Sequence, residues 1–211
     1  MTIQKNPGKL SVGIMGGTFD PIHMAHLVTA EEVRIQFDLD RVVFVPSGNP
    51  PHKEARNVSD QEHRYLMTEL ATISNPYFSV SRVEIDRPDE ELTYTIDTIR
   101  YFHRHFEGKA NIYFITGADA ILEILTWKDY RELLSICSFI AVTRPGYCLS
   151  KLEETIGAAC PEALCNIDIL EIPAVAISST LIRSRVAEGK PIKYLAPEAV
   201  TQYIIKHGLY R

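Results

Sequence analysis

The stretch Leu10–Leu27, LSVGIMGGTFDPIHMAHL, joins an apolar run to a Gly-Gly turn and then to two histidines. The run Leu10–Met15 is mostly apolar, which is typical of a strand buried inside a parallel sheet. A helix is predicted after the turn, running to about Phe37. The order of strand, Gly-rich turn and helix predicts the opening of a nucleotide-binding α/β sheet.

The rest of the chain continues this alternation of short apolar runs and longer segments of helical period, which predicts a parallel sheet wrapped by helices. Further strands are predicted at Arg41–Pro46, Phe78–Ile85, Ile112–Thr116, Phe139–Thr143 and Ile167–Glu171. Further helices are predicted at Gln61–Ser74, Thr95–Phe106, Ser179–Glu188 and Pro197–Lys206. We therefore expect an α/β fold, a doubly wound Rossmann-like parallel sheet, in a single domain covering residues 1–211.

Composition narrows the class of protein. The 211 residues include 22 basic and 27 acidic side chains, a net charge of −5. This balance argues against a general nucleic-acid binder, which would normally carry a basic face, but it leaves room for a local phosphate site. No apolar run reaches the ~20 residues that span a bilayer, and the N-terminus has no apolar leader region. The four cysteines form no C-x-x-C pair and no zinc pattern, so we expect reduced thiols and a cytoplasmic protein.

The Gly-Gly turn predicts phosphate binding. Gly16 and Gly17 let the backbone pass close to a phosphate, and the start of the next helix offers unpaired N–H groups. His23 and His26 are three residues apart, so both imidazoles lie on one face of that helix. There they could donate hydrogen bonds to phosphate oxygens, and protonation would add positive charge. The alternative is a turn capped by Asp20 beside two half-buried histidines, which the strand and glycine context disfavours.

A second motif, Ile177–Arg183 (ISSTLIR), predicts another helix start suited to an anion. Ser178, Ser179 or Thr180 can cap a helix whose first-turn N–H groups point at the anion. Arg183 lies on the first turns and can hold two phosphate oxygens with its guanidinium fork. The alternative is a capped surface helix with a solvated arginine.

Together these motifs resemble the signatures of a known superfamily. The run GGTFDPIHMAHL is similar to the signature of the nucleotidyltransferases marked by His-x-Gly-His, and most closely to that of the bacterial nicotinate mononucleotide adenylyltransferases. Ala25 stands where that family has a glycine. In the family, that glycine lets the nucleotide lie against the helix. ISSTLIR resembles the family's I-S-S-T-x-I-R, which the family uses for the ATP phosphates. The resemblance runs in order and spacing from Val12 to Arg183.

Three further segments carry the resemblance. Pro50–Lys53 resembles the family's P-P-H-K loop, within a polar stretch that we expect to be a functional loop. Leu92–Thr98 resembles its S-Y-T-x-D-T run at the mononucleotide pocket, with Thr93 in place of serine. Thr116–Asp119, followed by Trp127–Lys128, resembles its G-A-D and W-K stretch. Stacking of the tryptophan on a pyridine ring and its burial in the core both remain open.

The resemblance implies an enzyme that moves the adenylyl group of ATP to nicotinate mononucleotide, giving nicotinic acid adenine dinucleotide and pyrophosphate in NAD biosynthesis. It assigns catalysis to His23, His26 and Arg183. It assigns ATP binding to Gly16, Gly17, Thr18, Phe19, Lys53, Gly117, Asp119, Ser178, Ser179 and Thr180. It assigns mononucleotide binding to Tyr94, Thr95 and Trp127. The expected cofactor is Mg²⁺ held mainly by the ATP phosphates, and we expect no nucleic-acid or membrane partner, with a homo-oligomer left open.

Two alternatives of other kinds stay open. Another adenylyl- or cytidylyltransferase of the superfamily, such as a phosphopantetheine adenylyltransferase, would share the first motif but lack the segments at residues 50–53, 92–98 and 127–128. A non-catalytic nucleotide-sensing module would bind ATP without turnover. The intact His23, His26 and Arg183 argue against such a module.

Overall fold

Six apolar runs form one parallel sheet in the computed structural model, which describes residues 8–49, 58–88, 91–143, 156–157, 161–173 and 176–211. The strands are β1 (Leu10–Gly17), β2 (Arg41–Pro46), β3 (Phe78–Val80), β4 (Ala110–Gly117), β5 (Ser138–Thr143) and β6 (Ile167–Glu171). Their order across the sheet is β3-β2-β1-β4-β5-β6. The order reverses between β1 and β4, as in doubly wound nucleotide-binding folds, and the predicted fold class is confirmed.

Helices connect and cover these strands. The α-helices are α1 (Met24–Gln36), α2 (Gln61–Thr72), α3 (Thr95–His105), α4 (Ala118–Leu122), α5 (Tyr130–Ile136), α6 (Ser179–Ala187) and α7 (Glu198–His207). Short 3₁₀ turns occupy Ile124–Thr126 and Pro161–Asn166. Local signals set several ends: the Asp60 side chain accepts the N–H of Glu62 at the start of α2, and Gly208 ends α7 with a φ of +62°.

The central strands are buried along most of their length. β1 pairs with β4 in parallel from Leu10 opposite Ala110 to Met15 opposite Ile115. Val12, Ile14, Phe139 and Ile140 are wholly buried. Such continuous burial is expected of a strand with helices over both faces, because neither face meets water. The apolar runs of the sequence therefore become the core that positions the loops at the strand ends.

The contacts of the chain divide it into two compact units. The first unit comprises Met1–Gly16, Glu32–Val42 and Tyr94–Ala174, and the second unit comprises Gly17–Glu31, Val43–Thr93 and Val175–Arg211. The turn with both histidines and helix α6 belong to the second unit. The start of α3 and Trp127 belong to the first unit. A single domain over residues 1–211 stays a prediction.

The predicted element boundaries agree with the structure to within two residues, except at β3. The strand predicted at Phe78–Ile85 ends at Val80, so its second half was wrong. Arg82 pairs with Glu62 at 2.6 Å and with Asp86 at 2.9 Å, and the Asp86 N–H donates to the Arg82 carbonyl. These bonds hold a turn where the strand was expected. We did not predict α4 or α5, which are both short.

Two further observations concern the helices and the cysteines. Among the helices in the described ranges, none combines the length and the apolar character that a bilayer crossing requires. Cys137 is buried and Cys165 is exposed, and both are free thiols. Cys148 and Cys160 lie outside the described residues.

Candidate active site

The turn after β1 is shaped by the packing of Phe19 against Gly17. Phe19 is buried and has a φ of +48°, a left-handed conformation that bulky residues seldom adopt. A Cβ atom on Gly17 would lie 2.8 Å from the Phe19 ring, so no larger residue fits there without displacing the ring. The same ring meets His26 edge to face, with ring centroids 5.1 Å apart. Gly17 is therefore required by the packing that supports a predicted catalytic histidine.

His23 and His26 lie together at the start of α1, as predicted. Their rings stack with centroids 3.7 Å apart, and the backbone N–H of His23 donates to Nδ1 of His26 at 3.2 Å. Because Nδ1 is an acceptor in this bond, the neutral His26 ring carries its proton on Nε2. The pair therefore offers His26 Nε2–H as a donor of fixed tautomer.

Burial keeps both imidazoles neutral near pH 7. It lowers the pKa of His23 from 6.5 to about 4. Burial, followed by the charge of His23, lowers the pKa of His26 to about 3. Without a bound phosphate the rings therefore lack the positive charge that protonation would add at neutral pH. Hydrogen-bond donation does not require that charge, and nearby phosphate oxygens would favour the protonated form.

Helix α6 begins as the second motif predicts. Ser178 is its N-cap, and the Ser178 hydroxyl oxygen accepts the N–H of Leu181 at 3.1 Å. Of the three residues proposed as the cap, the structure thus selects Ser178. The Thr180 hydroxyl oxygen accepts a bond from Nη2 of Arg183 at 3.3 Å, which orients the arginine along the first turns of the helix.

Two side chains of α6 bind the backbone of the histidine-bearing turn. The Ser179 hydroxyl donates to the Pro21 carbonyl at 2.8 Å, and Nη1 of Arg183 donates to the Asp20 carbonyl at 2.7 Å. The structure therefore brings together motifs that stand 163 residues apart, measured from Asp20 to Arg183. Ser179, which we assigned to ATP, has its hydroxyl engaged with the protein.

Arg64 of α2 is a buried cation beside this turn that we did not single out from the sequence. Its Nε donates to the Ser59 carbonyl at 3.0 Å, Nη1 to the Thr18 carbonyl at 2.9 Å and Nη2 to the Gly48 carbonyl at 3.3 Å. A sequence signal was present, because Arg64 shares the buried face of α2 with Met67 three residues on. A charged residue in an apolar stripe must find buried partners.

The Asp20 carboxylate has a larger structural role than the sequence indicates. Its Oδ1 accepts the Tyr210 hydroxyl at 2.7 Å, and its Oδ2 accepts the backbone N–H of Ser59 at 3.2 Å. Asp20 thus holds distant segments of the second unit instead of capping its own turn. Nothing local in the sequence points to Tyr210, which lies 190 residues along the chain.

The start of α3, in the first unit, carries two residues predicted to bind the mononucleotide. Tyr94 is the N-cap in an extended conformation, and no side chain caps the first turn. Thr95 is the first helical residue, and both side chains are half-buried. A helix start of this kind favours a negatively charged group.

The Trp127–Lys128 segment of the first unit meets the same helix start. Trp127 is half-buried and packs edge-on against Phe114, with centroids 6.0 Å apart and an interplanar angle of 88°. The Lys128 Nζ lies 4.5 Å from the centre of the Tyr94 ring and 3.2 Å from a carboxylate oxygen of Asp97. Trp127 is therefore neither a core residue nor fully exposed.

Three further predicted ATP contacts lie at strand ends. Gly16 is exposed near the end of β1, and Gly117 is exposed at the end of β4, where it is the N-cap of α4. Asp119 is exposed on the first turn of α4. Parallel sheets bind ligands beyond the carboxyl ends of their strands, so these positions agree with the assignment without testing it.

Lys53 is the predicted site residue that lies outside the described residues, with the rest of residues 50–57. Across the described ranges, no three His, Cys, Asp or Glu side chains come together as metal ligands would. The two imidazoles and the Arg183 guanidinium seen at the histidine-bearing turn are donors suited to phosphate oxygens.

Several known proteins are similar to this chain. A family model described as cytidylyltransferase-like matches residues 14–185. A "Probable nicotinate-nucleotide adenylyltransferase" of Moorella thermoacetica is 59% identical over 211 residues, which is 100% of this chain and 95% of that protein. A protein of the same name from Thermoanaerobacter is 58% identical over 203 residues, which is 96% of this chain and 95% of that protein.

The fold also matches solved structures. Nicotinic acid mononucleotide adenylyltransferase of Plasmodium falciparum complexed with NaAD superposes with a TM-score of 0.75 at 22% identity, covering 95% of this chain and 97% of that one. A "Putative Nicotinate-nucleotide Adenylyltransferase" from Vibrio parahaemolyticus gives a TM-score of 0.66 at 18% identity, with 96% of each chain covered. At such identities the likeness concerns the fold. With the family model and the close relatives, it shows that the chain belongs to the cytidylyltransferase-like family and, within it, to the nicotinate-nucleotide adenylyltransferases.

Proposed function

We propose that the protein transfers the adenylyl group of ATP to the phosphate of nicotinate mononucleotide, releasing pyrophosphate and forming nicotinic acid adenine dinucleotide. The observation that carries this proposal is the turn after β1, where His23 and His26 stack and the Asp20 carbonyl of the same turn accepts a hydrogen bond from Arg183. Family membership supplies the reaction class. The product is an intermediate suited to NAD biosynthesis.

His23 and His26 are assigned to the ATP phosphates. His26 donates from Nε2–H, because the His23 N–H occupies its Nδ1. Negative charge grows on phosphoryl oxygens during transfer, and a donor already in place stabilises it without reorganisation. The lowered pKa values leave the rings neutral before ATP arrives, and the phosphate charge then favours their protonation.

Arg183 is assigned to the β- and γ-phosphates, with Lys53 as its predicted partner. A guanidinium has five N–H donors, more than its bonds to Asp20 and Thr180 use. The bond to the Asp20 carbonyl fixes the direction of the fork, so a phosphate meets an oriented cation. The first turn of α6, capped by Ser178, adds backbone N–H groups of the kind that bind anions.

The remaining ATP assignments form a cradle and a ribose contact. Gly16, Gly17, Thr18 and Phe19 line the proposed cradle for the phosphates, together with the serines and threonine at residues 178–180. Gly117 and Asp119 follow β4, where the Asp119 carboxylate would accept a ribose hydroxyl. The exposure of both residues supports a ligand role over a structural one.

The reaction requires no covalent nucleophile on the protein. The mononucleotide phosphate attacks the α-phosphorus of ATP, the bond from that phosphorus to the β-phosphate oxygen breaks, and pyrophosphate carries away the electron pair. The protein contributes alignment and charge stabilisation, as in phosphoryl transfer generally. This explains why the described site offers donors and cations and has no activated serine or cysteine at its centre.

The acceptor is assigned to Tyr94, Thr95 and Trp127. The half-buried face of the indole is suited to stacking on the pyridine ring. Asp97, on the first turn of α3, would repel an acidic ligand, but it pairs with Arg100 at 3.2 Å and with the lysine at residue 128 at 3.2 Å. The helix start can therefore favour an anion.

This arrangement supports a preference for the acid over its amide. A carboxylate accepts bonds from the N–H groups at the start of α3, whereas a carboxamide would turn its NH₂ group toward them and leave a group unpaired. Such a mismatch costs roughly 1–3 kcal/mol, about ten- to a hundredfold in specificity. We therefore propose nicotinate mononucleotide, and not the amide, as the preferred acceptor.

Mg²⁺ is proposed to enter with ATP, bound by phosphate oxygens and water. In the described ranges the acidic side chains do not cluster into a cage, and Mg²⁺ commonly keeps several waters with few protein ligands. When bound, the ion would neutralise part of the phosphate charge. A cytoplasmic location is likewise proposed, because the free thiols of Cys137 and Cys165 suit a reducing compartment.

The proposal is tested by incubating the protein with ATP, Mg²⁺ and a panel of phosphorylated acceptors, and identifying the product by mass. The panel contains nicotinate mononucleotide, its amide, phosphopantetheine and a phospho-alcohol. We expect a dinucleotide with the acid at the highest kcat/KM. Equal use of acid and amide would contradict the acid assignment, and a phosphopantetheine product would favour the other superfamily branch. ATP binding without pyrophosphate release would identify a sensing module.

A further inference from the structure

The turn that carries the catalytic histidines is held by a buried network centred on Asp20. This residue is 3% exposed and uses three oxygen atoms at once. Its two carboxylate oxygens accept the Tyr210 hydroxyl and the Ser59 N–H, and its carbonyl accepts Arg183. A shift of the Asp20 carboxylate therefore moves the carbonyl that anchors the phosphate-binding arginine.

Tyr210 is a distinctive member of this network. Its hydroxyl donates to Asp20 Oδ1 at 2.7 Å and also hydrogen-bonds with Ser59. Its backbone has a φ of +64°, a left-handed conformation that costs free energy for a bulky residue. A strained residue persists when its surroundings hold it in place, and here the surroundings are the network itself. Burial and the neighbouring Asp20 carboxylate raise the pKa of Tyr210, so the phenol stays a donor at any working pH.

Arg64 joins the same network from the opposite side. It donates to the carbonyl of Thr18, two residues before Asp20, and to the carbonyl of Ser59. The backbone N–H of Ser59 in turn donates to the Asp20 carboxylate. Arg64 is 2% exposed, and its charge interacts favourably with Asp20. Thr18 and Asp20 are thus fixed from two sides, which leaves the backbone between them little freedom.

We propose that Tyr210 is a positioning residue for adenylyl transfer: its hydroxyl orients the Asp20 carboxylate, and through Asp20 it places Arg183 and the histidine-bearing turn for the ATP phosphates. The inference rests on the proposed function, since it concerns the efficiency of that reaction. In this proposal Tyr210 contacts neither substrate. Its effect is on the geometry of groups that do.

The test compares Tyr210→Phe with Tyr203→Phe. Each removes one hydroxyl and keeps the ring; Tyr203, on α7, bonds His63 of α2 at 2.8 Å and lies outside the network. We expect Tyr210→Phe to lower kcat per folded enzyme about tenfold, because small misplacements of reacting groups are costly. The KM for nicotinate mononucleotide should stay unchanged, and Tyr203→Phe should keep the wild-type kcat. A lowered melting temperature with wild-type kcat would overturn the proposal, because the hydroxyl would then serve stability alone.

A double-mutant cycle tests whether Tyr210 acts through Asp20. In an Asp20→Ala background the phenol has lost its carboxylate partner, so adding Tyr210→Phe should change kcat less than twofold. Full additivity of the two losses would overturn the proposal. If Tyr210→Phe does not fold, Asp20→Ala takes its place, and a wild-type kcat in that variant would overturn the proposal equally. Failure of the wild-type enzyme to form product would instead contradict the proposed function.

Discussion

The second unit fixes its histidine-bearing turn mainly with bonds that involve backbone atoms, whereas the first unit fixes the start of α3 with bonds between charged side chains. In the second unit, Arg64 and Arg183 donate to main-chain carbonyls, and the Asp20 carboxylate accepts an N–H and an O–H. Arg64 and Asp20 are 2% and 3% exposed. Breaking such bonds is costly, because each leaves a polar partner unpaired away from water.

In the first unit the central cation is Arg100. Its guanidinium pairs with Asp97, Asp129 and Glu132, and Asp97 pairs also with Lys128. The paired side chains are 26% to 47% exposed. Water and salt therefore screen these pairs, and each side chain can adjust at little cost.

The difference suits the two tasks that we propose for these units. Transfer between phosphates needs reacting atoms in line, and developing charge needs donors that are already in place. Recognition of a flat ring beside a helix start tolerates small side-chain shifts. We therefore expect substitutions in the second unit to act on kcat or on ATP, and those in the first unit to act on the KM of the acceptor.

Removing His26 should cause the largest loss of kcat, so it tests the contrast between the two units most directly. His26→Ala should lower kcat by about 10²-fold or more, because the Nε2–H donor to developing charge is lost. The matched control is His105→Ala, an exposed histidine on α3 of the first unit, which should keep the wild-type kcat. Pyrophosphate release measures both. Wild-type turnover by His26→Ala would show that its assigned role is wrong.

Lowering the pH should reduce the free energy of unfolding of the second unit. The folded-state pKa of His23 is about 4, below its ordinary 6.5, so the unfolded chain takes up the proton first as the pH falls. Stability is therefore full above pH 6.5 and is lost progressively down to about pH 4. At about 1.4 kcal/mol for each pKa unit, His23 contributes about 3 kcal/mol to this loss.

Urea unfolding at several values of pH measures this effect. His23→Gln, which cannot titrate, should show a shallower fall in the free energy of unfolding across the same window. Equal pH dependence in wild type and variant would mean that His23 is readily protonated in the folded protein.

Arg183→Lys should have an intermediate effect confined to ATP. Lysine keeps the charge but cannot bond the Asp20 carbonyl and a phosphate with one planar fork. We expect kcat/KM for ATP to fall about thirtyfold, with the acceptor KM near wild type. Arg185→Lys is the control, because Arg185 on the same helix bonds the Pro191 carbonyl instead. Unchanged ATP kinetics in Arg183→Lys would limit Arg183 to its structural bonds with the Asp20 carbonyl and the Thr180 hydroxyl.

Trp127→Ala should have the smallest kinetic effect. It tests whether substitutions in the first unit act on the KM of the acceptor. Loss of stacking should raise the KM for acid and amide in parallel, about tenfold, and leave their ratio nearly fixed. The control is Tyr101→Ala, an exposed aromatic residue on α3. A ratio that collapses in Trp127→Ala would show that the indole itself discriminates between the two acceptors.

The sequence predicted the fold wherever an apolar run was long enough to reveal its period. β2 and β6 have the bounds that were predicted; Asp40 and Ser47 flank β2, and β6 follows Asn166 and ends two residues before Pro173. β3 was predicted too long because its end depends on the pair between Arg82 and Glu62, which no local pattern reveals. The helices α4 and α5, of 5 and 7 residues, are too short for a helical period to stand out.

For the site, local spacing predicted the groups with chemistry but not the groups that hold them. The stacking of His23 and His26 follows from their three-residue spacing. The bond between the Ser179 hydroxyl and Pro21 does not follow from any spacing, and neither does the bond between Tyr210 and Asp20. Such contacts join distant segments, so they become visible only after the chain has folded.

The bond from Tyr210 to Asp20 also has a consequence for biosynthesis. It spans 190 residues, and a ribosome adds roughly 5–20 residues per second, so roughly 10–40 s separate the synthesis of its two partners. The bond from Arg183 spans 163 residues and also forms late. A nascent chain can therefore assemble much of its sheet while the histidine-bearing turn still lacks both anchors. Full competence to use ATP should therefore appear only after Tyr210 has emerged from the ribosome.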